Sequence, residues 1–495
     1  MLSIPEYKDA ERLFSYFEAF SKIPHGSGNT RAIADFFVGF AKERGLDCYR
    51  DESDNVVIRK GATPGYEDRP TVIIQGHLDM VAVKKSGADI DMERDGLTLY
   101  RDGDFIRAKD TSLGGDDGVA LMYAMALLDS KDIPHPAIEA VFTSDEEVGL
   151  LGATAIKPEA IKGRLLINVD SDAEGILTVG CAGGVRSDIA MPVSYEENRY
   201  PKAYRVRLYG FKGGHSGIEI DKGRANAIKV FAELHNCIFD MRIAEMSGGN
   251  ADNAIPRECG AIICAGEDYP EKLKVMLEKR RGMLAVMPDV PFNELKEMDK
   301  NGKTLAELEP DVNIEICEVE PPKMALDEGS TEQLIALLVS LPSGVMAMSK
   351  ALPDLVETSL NMGMFSLGER ACVSFSVRSA VGEEKKRLCK RLHEIADKYN
   401  ADYSERGAYP AWEYREDSHL RDVMVDVYKR MYGNSPKVVT IHAGLECGLF
   451  AEKLEGLDCV PIGPDNYDIH TTEERLSISS SVRVWEYIKE ILKEI

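Results

Sequence analysis

Hydrophobic positions follow two rhythms along this chain, and the rhythm changes near Val185 and again near Ala408. Before Val185, short apolar runs alternate with segments of helical period. Val56–Arg59, Thr71–Gln75, Ile138–Phe142 and Leu165–Val169 have the length and composition of buried strands. Asp9–Phe20 and Asn29–Glu43 space their apolar residues as helices do, with Asn29-Thr30 as a candidate cap for the second. Gly118–Leu128 reads as a helix of small apolar residues. This alternation predicts an α/β domain whose mostly parallel sheet is covered by helices.

Between the two changes the pattern is different. Tyr204–Tyr209 alternates as a half-buried strand, and Gly223–Leu234 follows as a helix. Cys259–Ala265, Val312–Glu318 and Val373–Val377 read as strands; Glu271–Leu284, Thr331–Leu341 and Glu383–Lys398 read as helices. An antiparallel α+β insertion fits, long enough for two similar halves although no repeat is visible in the sequence. The first rhythm returns with helix Leu420–Tyr432, strand Lys437–Thr440, helix Leu445–Lys453, strand Leu457–Ile462 and helix Ser479–Leu492. The expected organisation is a discontinuous domain, 1–185 with 408–495, carrying an inserted lid domain, 186–407.

Composition narrows the classes. A chain of 495 residues is too long for one ordinary core. Its net charge of −24 argues against nucleic acid and anionic membranes as partners. Met1–Asp9 lacks a basic segment followed by an apolar one, and no run is long enough to span a membrane, so a cytoplasmic protein is expected. The ten Cys fall in no CxxC pair, which predicts reduced, mostly buried thiols rather than a zinc–thiolate site.

Candidate chemistry lies just past the apolar runs. Thr71–Gly76 leads to His77 and Asp79, and Phe105–Leu113 to Asp116 among glycines. Ile138–Phe142 leads to Glu146 and Glu147, Leu165–Val169 to Asp170, and Asp458–Ile462 to a loop with His470. Ligands of open α/β sheets bind outside the carboxyl ends of the strands. Taken singly, each residue also reads as a polar turn or a helix cap. Together, two imidazoles and three carboxylates make a mixed N/O set suited to Zn²⁺, Co²⁺ or Mn²⁺. Five ligands exceed one tetrahedral site and suit two divalent metal ions with one bridging carboxylate. Adjacent Glu146 and Glu147 can divide their work, one on metal and one on water.

Several strings resemble a known family. They are Gly76-His77-Leu78-Asp79-Met80-Val81, Gly115-Asp116-Asp117-Gly118, Asp145-Glu146-Glu147-Val148-Gly149, Asn168-Val169-Asp170 and Asp468-Ile469-His470-Thr471. Gly213-Gly214-His215-Ser216-Gly217, Gly223-Arg224-Ala225-Asn226-Ala227, Asn253-Ala254-Ile255-Pro256 and His442-Ala443-Gly444-Leu445-Glu446-Cys447 extend the likeness over almost the whole chain. The family is that of di-zinc aminopeptidase-like enzymes, including carnosinases, aminoacylases, carboxypeptidase G and tripeptidase T. The strings look most like its aminoacyl-histidine dipeptidase branch. Many relatives carry Lys after the paired aspartates; this chain has Gly118, as that branch does.

The resemblance implies roles. His77 and Asp170 would hold one metal, Glu147 and His470 the other. Asp116 would bridge them, followed by a cis peptide. Asp79 would support His77, and Glu146 would be the general base in hydrolysis of a small peptide, Xaa-His or broader. His215 would polarise the scissile carbonyl, and Asn253 and Arg378 would hold the substrate carboxylate. His442 and Glu446 are candidates for its amino-terminal side. A monomer or homodimer is expected, and the long insertion implies that His215 acts in its own chain. Aminoacylase or carboxypeptidase activity is the alternative within the family, and a non-catalytic peptide-binding protein the alternative outside it.

Overall fold

The computed structural model describes residues 4–7, 10–283, 303–349 and 355–495. Asp9 and Leu284, at the ends of two expected helices, lie outside the described residues. Two compact units emerge: Met1–Cys181 with Tyr414–Thr440 and Leu445–Ile495, and Ala182–Glu413 with Ile441–Gly444.

The first unit is built on a six-stranded sheet. Its order is Asp47–Arg50, Val56–Lys60, Ile138–Thr143, Val72–His77, Leu165–Asn168, Asp458–Pro461. The last four strands are mutually parallel, and Val56–Lys60 runs antiparallel to both of its neighbours. Val72–His77 and Ile138–Thr143 are buried at every position, so their runs are continuous rather than alternating. Helix Gly115–Asp129 is buried on nearly every face, which is why apolar residues fill it. Phe14, Phe17 and Phe20 of helix Ala10–Phe20 and Trp485 of helix Ile478–Glu494 belong to the same core. Burying each such side chain contributes about 1.5–3 kcal/mol.

Three expectations about elements are corrected. The Phe105–Leu113 run is a strand only over Phe105–Ala108, within a separate antiparallel sheet with Leu99–Asp102, Arg475–Ser477 and Asn466–Tyr467. Asp116 therefore comes from the kinked start of helix Gly115–Asp129 rather than from the end of a main-sheet strand. The helix expected from Gly223 begins at Ala227, because Gly223 is left-handed (φ +63°) and the Asn226 side chain caps Ile228 and Lys229. At Asn29-Thr30, the Thr30 side chain makes no cap bond and the Asn29 amide instead donates to Glu93 O at 3.0 Å.

The second unit carries a nine-stranded antiparallel sheet with an internal symmetry invisible in the sequence. Lys202–Tyr209, helix Ala227–His235, Met241–Gly248, Cys259–Ala265, helix Tyr269–Arg281 and Asn313–Val319 form one β-α-β-β-α-β motif. Gly183–Pro192, helix Glu328–Ser340, Val356–Leu367, Arg370–Ser379, helix Gly382–Lys398 and Asp402–Tyr409 form another. Each motif orders its strands fourth, first, third, second, and the two second strands pair at the middle through Ser247↔Ser366. The first motif is inserted after the opening strand of the second. Gly344–Met348 pairs with Val356–Leu367 as the ninth strand. Each motif is a ferredoxin-like arrangement.

None of the ten Cys is in a disulfide, and six of them are buried. Among the described residues, no helix is long and apolar enough to cross a membrane.

Candidate metal centre

Three of the parallel strands deliver side chains to one edge of the first unit's sheet. His77 is the last residue of Val72–His77. Glu146 and Glu147 lie in the turn after Ile138–Thr143, and Asp170 two residues beyond Leu165–Asn168. His470 comes from a loop beyond Asp458–Pro461, and Asp116 from its glycine-flanked helix start, joined to Asp117 by a cis peptide.

Asp116 stands between the two imidazoles. Its Oδ1 is 2.9 Å from His77 Nε2, and its Oδ2 is 3.1 Å from His470 Nε2. Asp170 Oδ1 lies 3.8 Å from His77 Nε2, and Glu147 Oε1 lies 2.7 Å from His470 Nε2. His77, Asp116 and Asp170 thus form one group, and Asp116, Glu147 and His470 a second. Within each, the ligand atoms lie within 4.8 Å of one another. His77, Glu146 and Glu147 form a third such group.

These residues fit a pair of cations. Glu147 Oε1 is buried and makes no hydrogen bond, although His470 is close; two ligands converging on one ion explain that contact. The electrostatics agree. Burial raises Glu146 to about 8, and nearby Glu446, Glu147 and Asp116 add to it against His77. Burial also pushes Asp170 well up. The adjacent Asp116 and Glu147 carboxylates raise His470 to about 10. For Asp116, burial opposes ionisation, but bonds from His470 and His77 outweigh it and hold the carboxyl low. The cluster holds more acid groups than its rings can neutralise, and divalent cations would supply the missing charge.

A buried scaffold fixes these ligands. Glu474, only 3% exposed, accepts the main-chain N–H groups of Leu113, Gly114, Gly115 and Asp116 at 2.7–3.4 Å. It therefore ties the His470 loop to the Asp116 loop. Sequence reasoning missed it, for a lone Glu in a polar loop carries no signal. Asp117 Oδ2 accepts the N–H of His77 at 3.2 Å, and burial keeps its carboxyl well above the usual range. Gly76 is required beneath it: a Cβ there would stand 2.2 Å from both Ala120 Cβ and Asp117 Oδ2. His77 Nδ1 meets the main-chain O of Asp79 at 2.9 Å, closer than the Asp79 carboxylate at 3.6 Å. That carboxylate instead accepts from Ser27 Oγ and from the N–H groups of Glu146 and Glu147.

Glu446 also belongs to the first unit. It is 1% exposed, and its Oε2 accepts from Gln75 Nε2 at 2.6 Å and Thr143 Oγ1 at 2.8 Å. Burial raises it to about 7.

In the second unit, His215, Arg378 and His442 gather although far apart in sequence. His442 Nε2 is 2.7 Å from Ser359 Oγ, and Ser359 is the strand neighbour of Arg378. Arg378 Nη1 donates to the Tyr409 hydroxyl at 2.8 Å. A Cβ on Gly217 would touch both the His215 ring and His442 O, at 2.9 Å each. His215 Nδ1 accepts the N–H groups of Gly217 and Ile218, which leaves the ring proton on Nε2. Burial lowers His442 to about 4, with Arg378 adding to the effect, and the same two causes lower His215. Asn253 is exposed, its main-chain O accepting the N–H of Ser216 beside His215. Ser359 and Tyr409 were not legible in the sequence, since only the sheet pairing brings them here.

Known proteins resemble this chain in sequence and fold. The chain is 34% identical over 490 residues to the cytosol non-specific dipeptidase of Escherichia coli (strain K12), covering 98% of this chain and 97% of that protein. The crystal structure of aminoacylhistidine dipeptidase from Vibrio alginolyticus superposes with a TM-score of 0.88 at 33% identity, over 98% of this chain and 96% of that one. An aminopeptidase PepT from Bacillus cereus ATCC 10987 shares the fold, with a TM-score of 0.55 at 15% identity and 98% coverage of both chains. Residues 73–494 match the model of peptidase family M20/M25/M40. With that match spanning most of the chain, and with this geometry at the sheet edge, the chain belongs to peptidase family M20/M25/M40.

Proposed function

We propose that this chain is a metal-dependent dipeptidase acting on small peptides, Xaa-His among them, with Glu146 as general base. The observation that carries the reading is Asp116, whose two carboxylate oxygens face His77 on one side and His470 on the other. His77, Asp116 and Asp170 would hold one divalent ion, and Asp116, Glu147 and His470 the other. The N/O donor set suits zinc first, then cobalt or manganese. Ions held there would lower the pKa of a bound water and polarise the substrate carbonyl.

Glu146 takes the proton of the attacking water as its oxygen bonds to the carbonyl carbon. It then delivers that proton to the amine as the C–N bond breaks. Asp79 positions Glu146 and supports His77. The second unit acts as the lid. His215, its proton on Nε2, donates to the carbonyl oxygen in the same chain. Arg378, steadied by Tyr409, pairs with the substrate carboxylate, together with Asn253. His442 completes that surface. Glu446, buried with Gln75 and Thr143, acts through that network rather than by touching substrate. The supporting relatives bear dipeptidase names, and the name of the Escherichia coli protein supports a cytoplasmic setting.

The test is hydrolysis of Ala-His beside its N-acetylated and C-amidated forms, with and without a chelator. Cleavage of the free dipeptide alone, lost on chelation and restored by metal, is expected. Cleavage of the acetylated form would move the assignment to an aminoacylase or carboxypeptidase.

A further inference from the structure

The turn that carries Glu146 is held from outside the sheet by a strap that none of the matched motifs includes. The strap is the loop between helix Ala10–Phe20 and helix Arg31–Glu43. It is joined to the segment after His77 by a main-chain bridge between Gly26 and Met80. Met80 N donates to His25 O at 3.1 Å, and Ser27 N to Met80 O at 3.2 Å. His25 Nδ1 bonds Ile23 O at 2.6 Å, which fixes the buried ring inside the loop.

Two further bonds run from the strap to the acidic turn. Ser27 Oγ donates to Asp79 Oδ2 at 2.8 Å. Gly28 N donates to Asp145 Oδ1 at 2.6 Å. Asp79 in turn accepts Glu146 N on Oδ1 at 2.9 Å and Glu147 N on Oδ2 at 3.3 Å. The strap therefore grips Asp145 directly and its two neighbours through one carboxylate. That carboxylate could rotate about its side-chain torsions without the hydroxyl that anchors it. The turn needs external support, for Asp145 has φ +52° and Leu150 φ +59°, backbone angles that such side chains adopt at a cost.

We infer that Ser27 is a positioning residue, setting through Asp79 the placement of the Glu146 carboxylate. This rests on the proposed role of Glu146. A shift of about 1 Å at a reacting group costs on the order of a hundredfold in rate. Loss of one anchoring bond, with the backbone grip of Gly28 intact, is expected to cost roughly tenfold in kcat by the same argument. Substrate binding uses other residues, so KM stays unchanged.

The experiment compares the metal-loaded wild type with Ser27→Ala, Ser27→Thr and Asp145→Ala on Ala-His. For each protein, kcat, KM, bound metal per chain and thermal midpoint are measured. Expected is a lower kcat in Ser27→Ala at wild-type KM, metal content and midpoint, with Ser27→Thr recovering the rate because it keeps the hydroxyl. Asp145→Ala, which removes the second grip, should lower kcat in the same way. An unchanged kcat in Ser27→Ala would overturn the inference. So would a loss that follows metal content or midpoint, or a Thr variant no better than Ala. If the metal-loaded wild type itself leaves Ala-His intact, the dipeptidase reading fails instead.

Discussion

Asp79 Oδ1 accepts the main-chain N–H of Glu146 at 2.9 Å. The bond links the ends of two neighbouring parallel strands, one carrying His77 and the other the acidic turn. A residue expected to steady an imidazole thus also orients the proposed base. The placement of Glu146 is inherited from a rigid sheet edge, as a preorganised site requires.

Removing the base leaves the ligands in place. Glu146→Ala should lower kcat by roughly 10²–10⁴-fold, the usual worth of a positioned general base. Two metal ions per chain should remain by elemental analysis. Near-normal turnover in a fully loaded variant would end the assignment.

Glu474 spans four N–H groups of the Asp116 loop. Glu474→Gln turns one acceptor oxygen into a donor facing donors. The expected cost is about 1–3 kcal/mol, with weaker metal binding as the loop loosens. Urea unfolding and metal titration both report it; wild-type values in both would show that the loop holds itself.

At Gly76 there is no room for a methyl group. Gly76→Ala drives a Cβ into Ala120 and Asp117. Overpacking of this kind costs about 1–3 kcal/mol and should shift His77, lowering stability and turnover together. A thermal midpoint equal to that of wild type would contradict the contact.

His235 should govern part of the acid sensitivity of the second unit. It is buried and bonded to Phe231 O and Tyr269, and burial lowers it from its usual value to about 4. A folded-state pKa below the unfolded one means full stability above about 6.5. That contribution is lost as pH falls toward 4, amounting to about 3 kcal/mol. His235→Phe should show a shallower loss between pH 7 and 4.5. Parallel stability profiles for the two proteins would exclude this origin.

How far these features can be read without coordinates depends on how local their causes are. Strands Val72–His77 and Leu165–Asn168 announce themselves because a strand buried on both faces is mostly apolar, and an ionisable residue then marks its exit. His77, Glu146, Glu147 and Asp170 were legible for that reason. His470 was legible too, on the loop after Asp458–Ile462, whereas Asp116 was legible from its local string but not the element that carries it. The Phe105 strand pairs elsewhere, and only packing turns Asp116 between the two rings.

The amino-acid order by itself determined which segments fold as strands and helices and which side chains could bind metal, since both follow from near-neighbour patterning. Tertiary structure alone decided the rest. The nested pair of β-α-β-β-α-β motifs depends on strand pairing between residues more than a hundred positions apart, and such pairing leaves no periodic trace. Glu474, Ser27, Ser359 and Tyr409 act through hydrogen bonds to distant chain segments. Buried polar groups must find partners wherever the fold puts them, and that choice is made in space rather than along the chain.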